Sequence, residues 1–187
     1  MIFGIYPGLL YLFTGKRSPY RWLYAVIAPA LVAAASGDSY FSLGALVKIS
    51  KENFGVPRRV GSVTLPLFTL FGRAGTALVT SASFVLIVKS YTSLGISIPQ
   101  LGWIVLMSFA ASLALGSVPG IGAFVSLALL SSLFESGYEE GYLILRPIAP
   151  LLLSFGVLLD VVTAAFATML VARHEGMQDE IELKEFI

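Results

Sequence analysis

Long apolar segments separated by short charged clusters dominate the chain. The charged residues group near positions 16–21, 48–59, 89 and 135–140 and in the tail from residue 173. A helix rises about 1.5 Å per residue, so crossing a hydrocarbon core of about 30 Å takes about 20 residues. The pattern therefore predicts membrane helices with charged, water-facing ends, beginning with a partial helix over residues 1–15.

Residues 22–49 are predicted to form a re-entrant helical hairpin. The apolar segment 22–37 has only 16 residues and stops at the polar run Ser36-Gly37-Asp38-Ser39. Apolar character then resumes and ends at the second basic cluster. Two half-length helices that meet at a tip of small residues enter and leave the membrane by the same face. Such a tip must be buried in protein or line a wet cavity.

Residues 100–134 are predicted to form a second hairpin of the same kind. Residues 90–134 carry no charge, yet this stretch of 45 residues is broken near its middle by residues 117–122, Ser-Val-Pro-Gly-Ile-Gly. Proline removes a backbone donor and glycine favours a turn, so this run indicates a helix break. Each arm is then about 12–16 residues, or about 18–24 Å, which is short for a membrane span.

Each hairpin is followed by a long apolar helix with a polar interruption. The first, residues 60–89, is interrupted at residues 72–76, and the second, residues 143–173, carries Asp160 in its middle. The chain therefore predicts an all-α integral membrane fold in which two re-entrant hairpins are each followed by a discontinuous transmembrane helix. Because a hairpin returns to its own side and the long helix crosses, the two units form an inverted repeat, as in many secondary transporters. An ordinary helical bundle with glycine and proline kinks is the alternative.

The distribution of basic residues predicts the orientation of the chain. The loops that flank the first hairpin are rich in lysine and arginine, whereas those that flank the second contain Lys89 against three glutamates. Loops rich in lysine and arginine stay on the cytoplasmic side. In a multi-pass protein of the cell (inner) membrane, the first hairpin is therefore expected to enter from the cytoplasm and the second from outside. Residues 174–187 are then a cytoplasmic tail.

Composition and charge exclude several classes of protein. Of 187 residues, 57% are hydrophobic and 12% charged, so a water-soluble globule is excluded and the lipid bilayer is the expected environment. A net charge of +1 argues against nucleic acid as a partner. The chain has no cysteine and one histidine, His174, so no catalytic residue, metal ligand or cofactor is predicted. Lys16 and Arg17 stand where a signal peptide would be cleaved, which argues against a secretory signal.

Three ionisable residues lie at predicted membrane depth, where a charge costs about 3 kcal/mol and is a candidate for function. Arg73 lies in the break of the first long helix, Asp160 in the middle of the second, and Asp38 at the first hairpin tip. Arg73 and Asp160 either meet near a substrate site or form a structural ion pair that joins two helices. Asp38 is expected to cap the second arm of its hairpin.

The hairpin tips are the second candidate site. Small residues at both tips leave backbone amides unpaired at helix starts, where an anion such as a substrate carboxylate binds. The same residues also let helices pack closely, which is the structural alternative. The predicted substrate-binding residues, from the tips and the interrupted helices together, are Ser36, Gly37, Ser39, Arg73, Thr76, Ser117, Val118, Pro119, Gly120 and Asp160.

Several short stretches together carry a family resemblance. They are residues 51–56 (Lys-Glu-Asn-Phe-Gly-Val), 64–67 (Thr-Leu-Pro-Leu), 75–78 (Gly-Thr-Ala-Leu), 117–123 (Ser-Val-Pro-Gly-Ile-Gly-Ala) and 171–176 (Val-Ala-Arg-His-Glu-Gly). In order and spacing they resemble the carrier part of the dicarboxylate/amino acid:cation symporters, which include the glutamate transporters. The resemblance implies a secondary active transporter of a small organic anion, such as a dicarboxylate or an acidic amino acid, or the transport-domain half of one.

The chain departs from this family at positions that the resemblance assigns to ions and substrate. An Asn-Met-Asp run that helps bind sodium falls on residues 72–74, here Gly-Arg-Ala. Counted back from Gly176 without gaps, the family's substrate-binding Asp and Arg, a typical Asn and a sodium-ligating Asp fall on Leu153, Gly156, Asp160 and Ala164. The groups that recognise an amino acid's ammonium and side-chain carboxylate are therefore absent. A coupling cation, sodium or proton, would lack most of the family's sodium ligands.

Arg73 suggests a different source of positive charge at this site. It replaces a neutral residue beside the family's cation site, so we expect its guanidinium to act as a tethered cation in place of sodium. Asp160 would then be its counter-charge. On this hypothesis an Arg73→Ala variant gains dependence on sodium.

The resemblance also implies a missing scaffold. Family members are longer, and their preceding helices form the oligomeric scaffold, a trimer by family analogy. This chain resembles the carrier part alone, so the scaffold half is expected on another chain or in a homo-oligomer. The alternative function is a non-transporting membrane subunit that binds a partner, or a truncated or decayed transporter relative.

Overall fold

A computed structural model describes residues 8–9, 11–12, 19–91, 95–115, 122–134, 138 and 140–178. Within these residues the chain is helical and contains no β-strand, so the predicted all-α fold is confirmed. The predicted partial helix over residues 1–15 and the tail over residues 174–187 lie largely outside the described residues.

Helices follow one another along the described chain with short connections. The first half contains α1 (Pro19–Ser36), a 3-10 turn (Tyr40–Ser42), α2 (Leu43–Phe54), α3 (Arg58–Phe71) and α4 (Ala74–Tyr91). The second half contains α5 (Ile98–Leu115), α6 (Gly122–Leu133), a 3-10 segment (Gly141–Ile148) and α7 (Ala149–His174).

Local turn chemistry separates α1 from α2. The helix α1 continues through Pro29 and ends before Gly37, whose φ of 68° is left-handed and favours glycine. The Asp38 carboxylate accepts a hydrogen bond of 2.9 Å from the backbone N–H of Tyr40, which stabilises the turn. Beyond this turn α1 and α2 contact each other, so their apolar faces pack together.

A break at Gly72 and Arg73 separates α3 from α4. The N–H of Gly72 donates to the Phe68 carbonyl over 2.7 Å, and the N–H of Arg73 donates to the Phe71 carbonyl over 2.9 Å. These bonds tighten the last turn of α3 before the chain restarts at Ala74. Gly72 leaves no room for a side chain, because a Cβ there would collide with the Phe68 carbonyl oxygen.

The last helix differs from the predicted discontinuity at Asp160. The helix α7 runs without interruption from Ala149 to His174, and the change of helix type lies at Ile148, where the 3-10 segment ends. The predicted interruption is therefore wrong. A carboxylate inside a helix need not displace a backbone hydrogen bond, so a buried charge marks a polar contact and not a break.

The helix α7 is central to the described structure and contacts α1, α3 and α4. One apolar cluster joins α7 to the first three helices, and in it the Trp22 ring lies 5.8 Å from Phe54 and 6.0 Å from Phe166 between centroids. A second apolar cluster joins α4, α5 and α6 around Phe84 and Leu127. Since α3 belongs to the first cluster and α4 to the second, the break between them lies where the two clusters meet.

Two stretches, Arg58–Tyr91 and Gly141–His174, are each 34 residues long and by length and composition apolar enough to cross a membrane. Large apolar side chains also face outward, among them Leu31, Leu106 and Phe155, which are 58%, 65% and 59% exposed. Wide exposure of apolar side chains is unfavourable in water but suits contact with lipid or with a partner helix.

Candidate functional site

A buried charged cluster lies where the start of α4 meets the middle of α7. The Thr76 N–H donates to Asp160 Oδ1 over 3.0 Å, and the Thr76 hydroxyl donates to Asp160 Oδ2 over 2.5 Å. Arg73 Nη1 lies 3.8 Å from Asp160 Oδ2. All three residues are 3–6% exposed. The structure therefore brings together three of the predicted substrate-binding residues.

Asp160 acts as a helix cap supplied by another helix. The first amides of a helix have no partner inside it and carry the positive end of the helix dipole. The Asp160 carboxylate accepts the amide of Thr76, which lies in the first turn of α4. The helix dipole, the Thr76 hydroxyl and the Arg73 guanidinium thus all stabilise its negative charge. The cluster is consequently a structural joint between α4 and α7 as well as a candidate site.

Gly75 permits this close approach of two helices. A Cβ at Gly75 would lie 2.5 Å from the Gly156 carbonyl oxygen and 2.6 Å from the Asp160 nitrogen. Gly156 in turn faces Thr76 across the same contact. Small residues on facing helices let backbones meet closely inside membranes. Gly75 was not among the predicted site residues, and the Gly-Thr pair just after the helix break is the sequence signal that indicates it.

Arg73 has unused hydrogen-bonding capacity. Its Nε atom is buried and has no hydrogen-bond partner among the described residues. A guanidinium offers five N–H donors, but the contact with Asp160 at 3.8 Å is an ion pair longer than a hydrogen bond. The Tyr40 ring lies against the guanidinium, 5.7 Å from its Cζ to the ring centroid, which stabilises the cation. Arg73 is therefore held in place, while its Nε–H has no acceptor among the described residues.

The turn between α1 and α2 reaches this cluster through Tyr40. Ser39, the preceding residue, is 1% exposed, and its hydroxyl has no hydrogen-bond partner within the described ranges. Sequence analysis selected Ser39 but missed Tyr40, because an aromatic side chain beside a polar turn gives no signal of the cation it contacts. The first turn therefore contributes the Tyr40 ring to Arg73, and next to Tyr40 in the chain it holds a buried hydroxyl without a partner among the described residues.

The other two predicted residues of the first turn differ in environment. A Cβ at Gly37 would lie 3.0 Å from Leu153 Cδ2, so this glycine packs against α7. Ser36 is exposed, and its hydroxyl lies 3.2 Å from the Ala33 carbonyl and 3.1 Å from the Asp38 carbonyl. Gly37 therefore contributes to helix packing, while Ser36 serves the turn.

The second predicted tip lies next to a described helix. Its residues Ser117, Val118, Pro119 and Gly120 lie outside the described residues. The helix that follows them, α6, begins at Gly122 and contacts α4 and α7, the two helices that hold the charged cluster.

Along α7 the site offers a single ionisable side chain. Between residues 149 and 172 only Asp160 carries a charge. Leu153, half-buried, packs near the first turn, and Ala164, one helical turn beyond Asp160, is 2% exposed. No group of three histidine, aspartate or glutamate side chains comes together in the described part of the chain. Charge recognition among the described residues of the site therefore rests on Arg73 and Asp160.

These features define a class of protein. A helical chain with two membrane-length apolar stretches and an ion pair buried at a helix break has the features of a membrane transport protein. The sequence model of the sodium:dicarboxylate symporter family matches residues 1–174. The chain therefore belongs to the sodium:dicarboxylate symporter family, and the resemblance predicted from its motifs is confirmed.

Individual transporters are similar to this chain at low sequence identity. The chain is 25% identical to the human neutral amino acid transporter A over 130 residues, which cover 70% of this chain and 24% of the relative. It is 27% identical to an excitatory amino acid transporter of Caenorhabditis elegans over 124 residues, covering 66% of this chain and 24% of the relative. The human excitatory amino acid transporter 5 is 28% identical over 126 residues, covering 66% and 22%.

The chain spans about a quarter of the length of these curated relatives. The family and these relatives are transporters and not enzymes, and they are membrane proteins. The described helices, with two stretches long enough to span a bilayer, agree with that assignment.

Proposed function

We propose that this chain is the transport domain of a secondary active symporter for a small organic anion, such as a dicarboxylate or an acidic amino acid. The observation that carries the proposal is the Arg73 guanidinium, which is buried at a helix break and whose Nε has no partner among the residues that the structure describes. Its counter-charge, Asp160, already accepts two hydrogen bonds from Thr76. A guanidinium fits a carboxylate well, because its planar fork matches the two oxygens.

The charge balance of the site supports symport. Arg73 and Asp160 together are neutral, so a bound anion adds a negative charge to a buried region. An uncompensated buried charge is costly. Entry of a proton or a sodium ion with the anion removes that cost. This balance links the movement of the anion to that of a cation.

Arg73 takes the place of one coupling cation beside Asp160. Its guanidinium lies 3.8 Å from the carboxylate, where a free cation would otherwise be attracted. In an Arg73→Ala variant we expect sodium chloride to raise the melting temperature above its value in choline chloride, and to do so by more than in the wild type. Arg146→Ala, at an exposed position, is the matched control. An Arg73→Ala variant that melts identically in both salts contradicts the tethered-cation role.

The arrangement of the chain in the membrane belongs to the same proposal. Helices α1 and α2 contact each other, as do α5 and α6, which supports two hairpins. In this scheme residues 22–49 and 100–134 re-enter from opposite faces as an inverted repeat. The Gln178 side chain donates to the Phe54 carbonyl over 2.8 Å, so the chain after α7 meets the end of α2. The basic residues near these ends favour the cytoplasmic face of the cell (inner) membrane.

A scaffold completes the proposed transporter. The outward apolar side chains of the helices need a lipid or protein partner. We expect either a second chain or further copies of this chain, a trimer by family analogy, to provide it. The native mass of the complex, extracted gently from its own membrane, distinguishes the two arrangements.

Substrate-dependent protection of the hairpin tips tests the proposed function. The chain has no cysteine, so a single introduced cysteine is the only thiol that a maleimide labels. Ser36→Cys and Ser117→Cys report on the two tips, and Ser90→Cys, exposed near the end of α4, is the control. Succinate, L-aspartate and L-alanine serve as probes. We expect at least one acidic probe to slow labelling of both tips and to leave the control unchanged.

The competing function is a non-transporting membrane subunit or a decayed transporter relative. Leu153 and Gly156, which carry no polar side-chain group, favour it because both stand at positions that bind substrate by family resemblance. Gly156 faces Thr76 of the cluster, and Leu153 lies against Gly37 of the first turn. If none of the probes changes the rate of labelling at either tip, the result supports this alternative and contradicts transport.

A further inference from the structure

A cluster of basic side chains lies where α2, α3 and α7 have neighbouring ends. The Gln178 side chain donates to the Phe54 carbonyl and so joins the residues after α7 to the last turn of α2. A connection of three residues, 55–57, then leads from α2 into α3. These ends carry five exposed basic residues, here called the basic rim: Lys48, Lys51, Arg58, Arg59 and Arg173.

The basic rim carries an excess of positive charge. The acidic residues described at this end are Glu52 and Glu175, and Glu52 lies 3.9 Å from Lys48. Within the described ranges, no ion pair joins the other four basic residues of the rim to an acidic side chain. The rim therefore attracts anions from outside this part of the chain.

Two arginines of the rim stand at an electrostatically unusual place. Arg58 and Arg59 occupy the first turn of α3, which has no acidic residue and no side-chain cap. The positive end of a helix dipole favours acidic residues at this position and disfavours basic ones. The two arginines consequently strengthen the positive potential of the helix end. An anionic partner would offset both the side chains and the dipole.

The rim lies at the ends of the two membrane-length stretches. Arg58 begins the first, Arg58–Tyr91, and Arg173 lies next to the last residue of the second, Gly141–His174. Residues at the ends of such stretches lie at the depth of lipid headgroups and not in the hydrocarbon core. Lysine and arginine clusters at that depth attract anionic phospholipids.

We infer that the basic rim binds the headgroups of anionic phospholipids in the leaflet on its side. This contact does not depend on transport of any substrate. Helix α3 leads directly to the break at Arg73, and α7 carries Asp160. Headgroups that bridge the ends of these helices therefore also stabilise the joint between them.

Thermal stability in the presence of defined lipids tests the inference. The full chain in a neutral detergent is supplemented with phosphatidylglycerol or with phosphatidylcholine of the same acyl chains. We expect phosphatidylglycerol to raise the melting temperature by about 2–4 °C more than phosphatidylcholine does. High salt should reduce the difference because it screens exposed charges.

Variants at the two ends of α7 locate the effect. The triple variant Arg58→Gln, Arg59→Gln, Arg173→Gln should lose most of the difference between the two lipids. The double variant Lys89→Gln, Arg146→Gln is the control, since Arg146 precedes the 26-residue α7 and so lies far from Arg173. It should keep the full difference. The double variant Arg58→Gln, Arg173→Gln removes the same number of charges from the rim and should lose more of the difference than this control. Equal stabilisation by both lipids, or equal loss in the two double variants, overturns the inference.

The sequence offers one competitor for the rim. Residues 179–187 contain four acidic residues and one lysine, and they follow directly after Gln178. A chain that ends at Gln178 should respond to phosphatidylglycerol at least as strongly as the full chain. Loss of the lipid effect in that shortened chain would assign the effect to the tail and overturn headgroup binding at the rim.

Discussion

Replacement of Gly75 by alanine should separate α4 from α7 at the charged cluster. A Cβ there would lie 2.5 Å from the Gly156 carbonyl oxygen, whereas ordinary contact begins near 3.4 Å. The obstructing atoms include backbone of α7, which cannot rotate away as a side chain does. The two helices must therefore move apart by about 1 Å to admit the methyl group.

The cost of this displacement has two sources. Overpacking of a tight contact costs about 1–3 kcal/mol. A shift of that size also stretches the bond of 3.0 Å between the Thr76 N–H and Asp160 Oδ1 beyond hydrogen-bonding range. A hydrogen bond to a charged group is worth about 1.5–3 kcal/mol. We therefore expect the Gly75→Ala variant to be about 3–5 kcal/mol less stable than the wild type.

Gly156→Ala is the matched control on the facing helix. A Cβ at Gly156 would lie 3.4 Å from the Thr76 Cα and 3.5 Å from its hydroxyl oxygen, which is ordinary contact. Alanine also gains about 1 kcal/mol over glycine inside a helix. In detergent, loss of the monodisperse chromatographic peak on heating gives the melting temperature. It should fall by about 10 °C for Gly75→Ala and stay level or rise for Gly156→Ala.

A Gly75→Ala variant that melts with the wild type would refute the argument from close approach. Equal destabilisation of both variants would refute it as well, because only the Cβ at Gly75 would lie within 3.0 Å of the backbone of the facing helix.

Three further predictions concern the same joint and the residues that follow α7. Asp160→Asn leaves Arg73 as an unpaired buried cation and should lower the melting temperature by the equivalent of about 3–5 kcal/mol. The double variant Asp160→Asn, Arg73→Gln should recover part of that loss. Thr76→Val keeps the backbone donor but removes the hydroxyl bond to the carboxylate, so it should lose about 1.5–3 kcal/mol in the same melting assay, and Thr76→Ser should not. Gln178→Ala should cost about 0.5–1.5 kcal/mol and speed hydrogen exchange in the last turn of α2, near Phe54.

Each of these outcomes has a clear opposite. If Arg73→Gln adds its full cost on top of Asp160→Asn, the two charges are not coupled. If Thr76→Ser is as unstable as Thr76→Val, the hydroxyl bond does not stabilise the joint. Unchanged exchange after Gln178→Ala would mean that this side chain does not hold the end of α2.

Sequence analysis predicts those features of the site that depend on neighbouring residues in the chain. It misses those that depend on contacts between distant residues. The helix break at Gly72 and Arg73 shows in the sequence, because glycine and a charged residue interrupt an apolar run. The sequence also identifies Asp160 as a charge inside a long apolar segment, but it does not reveal whether that charge interrupts the helix. The predicted interruption was wrong because the Asp160 carboxylate accepts hydrogen bonds from another helix, so the backbone hydrogen bonds of its own helix stay intact.

Two residues of the site, Gly75 and Tyr40, were not among the predicted substrate-binding residues. Gly75 matters only because another helix passes within contact distance, and Tyr40 matters because its ring meets Arg73 across the fold. Neither neighbour is close in the chain. Such contacts follow from how helices pack, which residue type alone does not determine.

By itself the sequence determined that the chain is helical, apolar enough for a membrane, broken after Phe71 and a member of a transporter family. These properties depend on composition, local backbone chemistry and motifs. Only the tertiary structure decided that Thr76 and Asp160, 84 residues apart, share two hydrogen bonds, and that the Nε of Arg73 has no partner within the described part of the chain. The reason is physical: the environment of a buried polar group depends on which helix covers it, and that is decided by the packing of the whole chain.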